Sequence, residues 1–238
     1  MQLIRSGLVS LAAVLWLWSL AYAQTQSSAG SCGSVAADVG RGGFGPFDYR
    51  FNRDKWSIVE GAHFTPQVEA LVRGQSGYIG QDIAYTLNVF PNHHRALLAA
   101  TRLAEREKNP RPFGMKYSID CYFERALGFA RDDNVARLIY STHLAKTNRK
   151  KEALEQIDYA VANAGDNGFT HFNAGLLYFD LDEFEKALRQ AHTAAGLGMI
   201  NPTLKDRLQT ASKWQEPASK SADTSRLPDT AASAAAKP

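Results

Sequence analysis

Three histidines and two acidic residues are the side chains of this chain whose types could form a metal or catalytic site. His93 and His94 are adjacent, His63 lies upstream of them, and Glu60 and Asp82 are close by in the sequence. Imidazole nitrogens and carboxylate oxygens are ligands that zinc takes in proteins. Adjacent residues on a helix point about 100° apart, however, so His93 and His94 cannot easily share one ion. The sequence also has no His-x-x-x-His pair, no HExxH motif and no Cys-x-x-Cys motif.

A metal-binding or enzymatic protein that uses His63, His93 and His94 is therefore an alternative interpretation. The other interpretation is that these histidines cap helices or bond to backbone groups. No Gly-x-Ser-x-Gly motif is present, and neither cysteine lies in a recognisable nucleophile context. We expect a protein that is not an enzyme and that binds no cofactor and no metal ion.

The first 23 residues have the pattern of a secretory signal peptide. Met1 to Arg5 carries a positive charge, Leu8 to Leu20 is an apolar run, and Ala21 to Ala23 forms an A-x-A cleavage site. A transmembrane anchor is the alternative, but the run is shorter than the roughly 20 apolar residues that a membrane span needs. Taking the source to be a Gram-negative cell, we predict secretion across the inner membrane into the periplasm, with no transmembrane segment in the mature chain.

Two cysteines, Cys32 and Cys121, remain after cleavage of this peptide. Disulfides form in oxidising compartments such as the periplasm, and two cysteines allow only one pairing. The sequence therefore favours a Cys32–Cys121 disulfide, with two unpaired thiols as the alternative.

The charge balance argues against a nucleic-acid partner. The chain has 27 basic and 24 acidic residues, and loss of Arg5 with the signal peptide leaves 26 basic residues against the same 24. Such a small excess, with the signs mixed along the chain, is not the clustered basic surface of a nucleic-acid-binding domain. Membrane-surface binding by charge is equally unsupported.

The elements that must position all of these residues follow an internal repeat. Ala153 and Ala160 recur as Ala187 and Ala194, at the same offset in both cases. The segments RKKEALEQIDYAVANA and EFEKALRQAHTAAGLG align across this offset, with their apolar positions matched. A repeat period of about 34 residues, built as helix–turn–helix, is the signature of the tetratricopeptide repeat.

Individual residues carry the same resemblance. His171-x-x-Ala174-Gly175-x-x-Tyr178 stands where that family has Trp, Leu or Ala, Gly and Tyr, and Phe184 follows at the aromatic site after the turn. The chain departs from the family pattern in having no Trp at the first of these sites. Over about 96–199 the chain resembles the tetratricopeptide repeat family. The run FPNHHRAL beside the repeats is also similar to small secreted repeat proteins of Gram-negative bacteria. The resemblance implies an all-α solenoid of about three helical hairpins, with N-terminal helices and a C-terminal capping helix.

The sequence divides into five parts on this interpretation. They are a signal peptide (1–23), a flexible linker rich in Gly, Ser and Ala (24–45), an N-terminal arm with short helices (46–92), the repeats with their capping helix (93–214) and a disordered tail (215–238). The first repeat, 93–133, is longer than the repeat period, and we assign the excess to an enlarged turn at Lys108–Gly114, with its second helix beginning near Met115.

Stacked repeats of this family form a groove lined by the first helix of each hairpin. By the family pattern, the groove-facing residues are Leu138, Ile139, Thr142 and Lys146 in the second unit and Phe169, Phe172, Asn173, Leu176, Phe179 and Asp180 in the third. The apolar stripe of Phe172, Leu176 and Phe179 could anchor a peptide or an amphipathic helix. Alternatively, the terminal helix or the aromatic N-terminal arm covers that stripe permanently.

The function expected from these features is that of an adaptor in the cell envelope, which binds a protein or peptide partner in its groove and neither nucleic acid nor a cofactor. A metal-binding or enzymatic role for the His63, His93 and His94 cluster is the alternative. A third possibility is a small structural subunit whose arm and tail tether it within an envelope complex.

Overall fold

The computed structural model describes residues 32–35 and 43–217. The predicted signal peptide, most of the predicted linker and residues 218–238 of the predicted tail lie outside the described residues. The described residues contain helices and no strand, which confirms the prediction of an all-α chain for this part of the protein. None of the helices in these ranges combines the length and the apolar character needed to cross a membrane.

Ten α-helices lie wholly within the described ranges, and a short 3-10 turn, Arg53–Lys55, precedes the first of them. The helices are α1 (Trp56–His63), α2 (Pro66–Glu69), α3 (Ile79–Val89), α4 (His94–Glu107), α5 (Ile119–Phe129), α6 (Asn134–Lys146), α7 (Lys150–Ala162), α8 (Gly168–Asp180), α9 (Phe184–Gly196) and α10 (Thr203–Thr210).

Two of the helical hairpins, α6–α7 and α8–α9, have the same construction. All four helices are 13 residues long, and α8 and α9 each begin one repeat period after α6 and α7. Asp133 caps α6 by accepting a hydrogen bond from the amide of Ala136, and Asn167, at the equivalent position of the next hairpin, caps α8 through the amide of Thr170. These polar caps satisfy backbone donors that a helix leaves unpaired at its start.

The packing between helices also recurs along the chain. Helix α6 packs against α4 and α5, α8 packs against α6 and α7, and α10 packs against α8 and α9. Each first helix of a hairpin therefore lies against both helices of the preceding hairpin. The alanines of the repeat, such as Ala153 and Ala187, are completely buried where the helices approach each other.

The last of these contacts depends on Gly175 in α8. A Cβ atom at this position would lie 2.4 Å from the Cδ2 atom of Leu204 in α10 and 3.2 Å from Cβ of Gln190 in α9. Leu204 is itself buried. The C-terminal helix can therefore close the end of the stack because residue 175 has no side chain.

The N-terminal part is less regular. Helix α1 was not expected individually, and α2 ends at Glu69 because Leu71 adopts a left-handed backbone conformation. Helix α5 begins at Ile119, later than the start near Met115 that the sequence predicted, because Ser118 supplies its cap and the amide of Ile119 bonds to the carbonyl of Pro110 at 2.9 Å. The loop between α4 and α5 is therefore longer than the enlarged turn that the repeat spacing suggested.

Candidate functional site

An open groove runs between helices α4, α6, α8 and α10. It has a volume of about 380 Å³, and seven of the ten predicted groove residues line it: Leu138, Ile139, Thr142, Phe169, Asn173, Leu176 and Asp180. Leu98 and His94 of α4, Arg207 of α10, and Val135, Thr170 and Leu177 also line it. A neighbouring cavity of about 290 Å³ shares Thr142, Leu177 and Asp180 with the groove and is also lined by Lys146.

Helix α8 shows why these residues face the groove. Phe169, Asn173, Leu176 and Asp180 follow one another at intervals of four, three and four residues, which is the spacing of one face of a helix. The other faces of α8 are covered by α6, α7, α9 and α10. Only a narrow stripe of α8 is left for a partner.

Two predicted anchors do not belong to this stripe. Phe172 is 7% exposed, packs in the apolar core with Leu138 and is not among the residues that line the groove. Phe179 packs edge-on against Phe184, with ring centroids 5.3 Å apart, and the guanidinium of Arg207 lies 4.3 Å from its ring centroid. The C-terminal helix therefore covers Phe179, while the arm reaches the groove at His94, through Tyr49.

The charged groups around the groove are paired with one another. Arg207 forms an ion pair with Asp180, and the Lys146 ammonium lies 2.8 Å from Glu105. His94 contacts the carboxylate of Asp133 at 2.8 Å. The unpaired surface of the groove is apolar, and its most exposed parts are Phe169, which is 55% exposed, and Leu98, which is 40% exposed.

The three histidines of the alternative interpretation are held by three different carboxylates. His63 contacts Asp82 at 3.0 Å, His93 contacts Glu60 at 3.0 Å, and His94 contacts Asp133. Among the residues that the structure describes, no group of three histidine, cysteine or acidic side chains is placed to hold a metal ion. The structure does not bring His63, His93 and His94 together into one site.

Ser76, His63 and Asp82 have the residue types of a hydrolase triad but not its geometry. In a triad the serine and the carboxylate bond to different nitrogens of the histidine ring. Here both Ser76 Oγ and Asp82 Oδ1 lie 3.0 Å from the same nitrogen, Nδ1 of His63. Asp82 also accepts hydrogen bonds from the amides of Gln75, at 2.7 Å, and Ser76, at 3.1 Å. The cluster therefore fixes the loop before α3.

The pKa of Asp82 fits this structural role. Burial alone would raise it, but hydrogen bonds from Ser76, His63 and the two loop amides lower the pKa of this carboxyl group below its usual value. Asp82 therefore stays ionised as a hydrogen-bond acceptor and is not suited to act as a general acid near neutral pH.

A partly buried polar cluster joins the arm to the helices, and we call it the N-terminal junction. Sequence reasoning did not connect its members. The N-terminal junction consists of Asp48, Tyr49, Glu60, Asn92, His93, His94 and Asp133. The amide group of Asn92 connects three of them: it accepts a hydrogen bond from the amide of Tyr49 at 3.0 Å and donates to Asp48 at 2.9 Å and to Asp133 at 2.7 Å. The only signal in the sequence was the unusual run FPNHHRAL.

The two central ionisable groups of the junction have shifted pKa values. Burial lowers the pKa of His93, whose Nδ1 accepts a hydrogen bond from the amide of Ala96 at 3.1 Å while Nε2 faces Glu60. Burial would raise the pKa of Asp133, but hydrogen bonds from His94, the amide of Ala136 and Asn92 lower it overall. His93 is therefore held neutral as a helix cap, and Asp133 is held ionised.

Cys32 and Cys121 are joined by a disulfide, with their Cα atoms 5.1 Å apart. The bond fixes residues 32–35 against α5. These residues, together with α5, α6 and α7, line a second cavity of about 840 Å³ that shares no lining residue with the groove.

Comparisons of the chain with protein-family models, with curated proteins and with solved structures found no match.

Proposed function

We propose that this protein is a secreted, periplasmic adaptor of the tetratricopeptide repeat type, which binds a protein or peptide partner in the groove between α4, α6, α8 and α10. Three features support the repeat assignment. The helix starts follow the repeat period, the caps Asp133 and Asn167 occupy equivalent positions, and each first helix packs against both helices of the hairpin before it.

The pairing of the charged groups around the groove carries the functional proposal. Because Asp180 and Lys146 are paired with opposite charges within the protein and His94 contacts Asp133, the groove offers apolar surface and few free charges. Exposed apolar surface in a concave site is typical of protein-binding grooves. The partner is therefore a peptide or helix that places apolar side chains against Phe169, Leu98 and Leu176.

The contacts of the histidines and of Ser76 favour a binding role over a catalytic one. His93 caps α4, His94 contacts the carboxylate of Asp133, and His63 helps to fix the loop before α3, where Ser76 and Asp82 contact the same ring nitrogen. No observation in the described residues favours a reaction.

Site-specific photo-crosslinking in living cells tests the groove. A photoreactive amino acid at Phe169 or Asn173 is expected to capture a partner, whereas the same group at Ala195, which is exposed on α9, is not. Equal capture from all three positions, or capture from Ala195 alone, contradicts the proposal.

A pair of exposed substitutions supplies the affinity test. Phe169→Ala removes a groove residue without disturbing the core, and we expect about tenfold weaker binding of the captured partner, as is common for a central aromatic contact. Ile200→Ala is the matched control, because Ile200 is 97% exposed and does not line the groove. An unchanged affinity in Phe169→Ala would show that the groove is not the binding surface.

The location is tested separately. Cell fractionation with N-terminal sequencing is expected to find the mature chain in the periplasm, starting at Gln24. Retention of residues 1–23 at the membrane would contradict secretion but would leave the groove proposal intact.

A further inference from the structure

We propose that the cavity between α5 and α7 is a second binding site, which takes a small organic anion: a carboxylate group carried on an apolar chain. The inference does not depend on the proposed function of the groove. The cavity is lined by α5, α7 and one side of α6, through Arg137 and Tyr140, whereas other residues of α6 line the groove, and the two sites have no lining residue in common.

A buried cation without a carboxylate partner points to an anionic ligand. Arg137 lines the cavity and is only 9% exposed. Its guanidinium donates to Oε1 of Gln156 at 2.8 Å and to the carbonyl of Arg131 at 3.1 Å, and it lies 3.7 Å from the centroid of the Tyr159 ring. All three partners are uncharged. Within the described residues Arg137 forms no ion pair, and its Nε has no hydrogen-bond partner.

Burial of an uncompensated charge is costly, and it lowers the pKa of Arg137. A carboxylate bound beside this guanidinium would recover part of that cost. The surroundings reinforce the preference for an anion, because the described lining contains three arginines, Arg125, Arg131 and Arg137, and a single carboxylate, Glu124.

The rest of the lining indicates that the ligand carries an apolar chain. Val35, Leu127, Phe129, Tyr140 and Tyr159 supply apolar and aromatic walls, and the volume of about 840 Å³ lies within the range of small-molecule sites. Because the Cys32–Cys121 disulfide fixes residues 32–35 as one wall, the cavity is formed without a partner chain. A carboxylate with a medium-length alkyl chain satisfies both the arginines and these walls.

The probe is octanoate, titrated into the purified protein with its disulfide intact and followed by two-dimensional NMR of backbone amides. We expect saturable shifts at residues lining the cavity, such as Phe129 and Gln156. Acetate has the carboxylate without the alkyl chain, and octan-1-ol has the chain without the carboxylate, so we expect no saturable shifts there with either. Equal shifts from octanoate and octan-1-ol would overturn the anionic requirement, and no saturable shift with octanoate would overturn the site.

The carboxylate could belong to a free alkyl acid or to the C-terminus of a peptide. A short peptide ending in Leu-Leu, with a free carboxylate or with an amide, distinguishes them. Tighter binding of the free-acid peptide than of octanoate assigns the site to chain termini, and the reverse assigns it to free alkyl acids. Equal binding of the acid and the amide peptides contradicts the role given to the arginines.

Three arginine variants complete the test. Arg137→Gln and Arg131→Ala are each expected to weaken octanoate binding about tenfold, the usual effect of losing a charge-assisted contact. Arg131 is exposed, so its variant reports binding even if Arg137→Gln fails to fold. Arg189→Ala, an exposed arginine on α9, is the control and should bind as the unchanged protein does. Undiminished binding in Arg131→Ala and Arg137→Gln overturns the proposal.

The remaining occupant to exclude is the chain itself, because residues 36–42 follow directly on Val35. Replacing 36–42 with a Gly-Ser segment should leave the octanoate affinity unchanged. Binding that appears only after this replacement would show that the cavity belongs to the protein's own chain and would overturn the proposal.

Discussion

The two regular hairpins and the N-terminal junction are stabilised in different ways. In α6–α7 and α8–α9, buried alanines and aromatic residues repeat along the chain, and neighbouring helices supply most of the contacts. In the junction, segments that are distant in sequence meet through buried polar side chains: Asn92 is completely buried, yet it bonds to residues 43, 44 and 41 positions away. Apolar contacts spread the stability of the hairpins over many residues, whereas the junction concentrates it in a few.

The largest expected effect compares two equivalent helix caps. Asp133→Ala removes the acceptor for the amide of Ala136 and leaves His94 and the buried Asn92 without their partner, so we expect a loss of roughly 3–5 kcal/mol in the free energy of unfolding. Asn167→Ala removes only the equivalent, exposed cap of α8 and should cost about 1 kcal/mol. Urea unfolding measures both free energies. Equal losses would show that the junction does not depend on single residues more than the two hairpins do.

The disulfide gives the next largest effect. Its two cysteines are 89 residues apart in sequence, so the bond restricts the unfolded chain, and the Cys32→Ser, Cys121→Ser double variant should lose about 2–4 kcal/mol. Because the bond is made to α5, which packs against α4 and α6, native-state hydrogen exchange should speed up in α4 and α5 before α8 and α9. Uniform loss of protection over all helices would contradict a division between the two regions.

Substitutions at two glycines compare a crowded position in the regular hairpins, Gly175, with an open position in α5, Gly128. In Gly175→Val the added side chain must displace the buried Leu204, so we expect a loss of about 1–3 kcal/mol and a loosened α10. Gly128→Ala in α5 is the control, because nothing lies within 4 Å of its added Cβ atom, and it should stabilise the helix by about 0.5–1 kcal/mol. Thermal unfolding measures both, and a Gly175→Val variant as stable as the original would mean that α10 does not rest on this position.

The same contrast explains how much could be predicted from the sequence. The recurrence of Ala153 and Ala160 as Ala187 and Ala194 predicted two equivalent hairpins, because periodic packing leaves a periodic pattern. The seven predicted residues that line the groove came from the resemblance to the repeat family. Phe172 does not line the groove, since a family pattern does not fix which side of α8 turns toward the core. A rotation of one residue is enough to move a side chain from the groove into the core.

The junction left no such pattern. Asn92, Asp133 and Tyr49 have no spacing that links them, and their contact depends on where the arm and the first hairpin meet in three dimensions. The histidines were recognised as unusual, but as possible metal ligands, because residue type alone does not distinguish a histidine that caps a helix from one that binds an ion. The ion pair between Arg207 and Asp180 beside the groove was also missed, because Arg207 reaches Asp180 from another helix.

The smallest expected effect, and the one most specific to the junction, is on how the free energy of unfolding depends on pH. His93 is neutral in the folded protein, because Nδ1 must accept the hydrogen bond of the Ala96 amide, and burial lowers its pKa from the usual 6.5. Below about pH 6.5 the unfolded chain therefore binds a proton that the folded chain does not, and the free energy of unfolding falls as the pH falls. One proton limits the slope to about 1.4 kcal/mol per pH unit, or at most about 2 kcal/mol between pH 6.5 and 5.

His93→Asn isolates this contribution, since asparagine can cap α4 in the same way without titrating. The variant should lose part of the slope between pH 7 and 5 and keep the part that comes from His143, whose pKa burial also lowers. The pKa values of Asp133, Asp82 and Glu60 are lowered instead, so their contributions to stability are lost only below about pH 5, outside this window. Urea unfolding at several pH values measures the difference, and identical slopes for the variant and the original chain would mean that His93 is not the titrating group.

Hydrogen exchange locates the effect. A difference in exchange confined to α4 and its neighbours would place the effect at the junction, because a local change in protonation first affects the helices in direct contact with it.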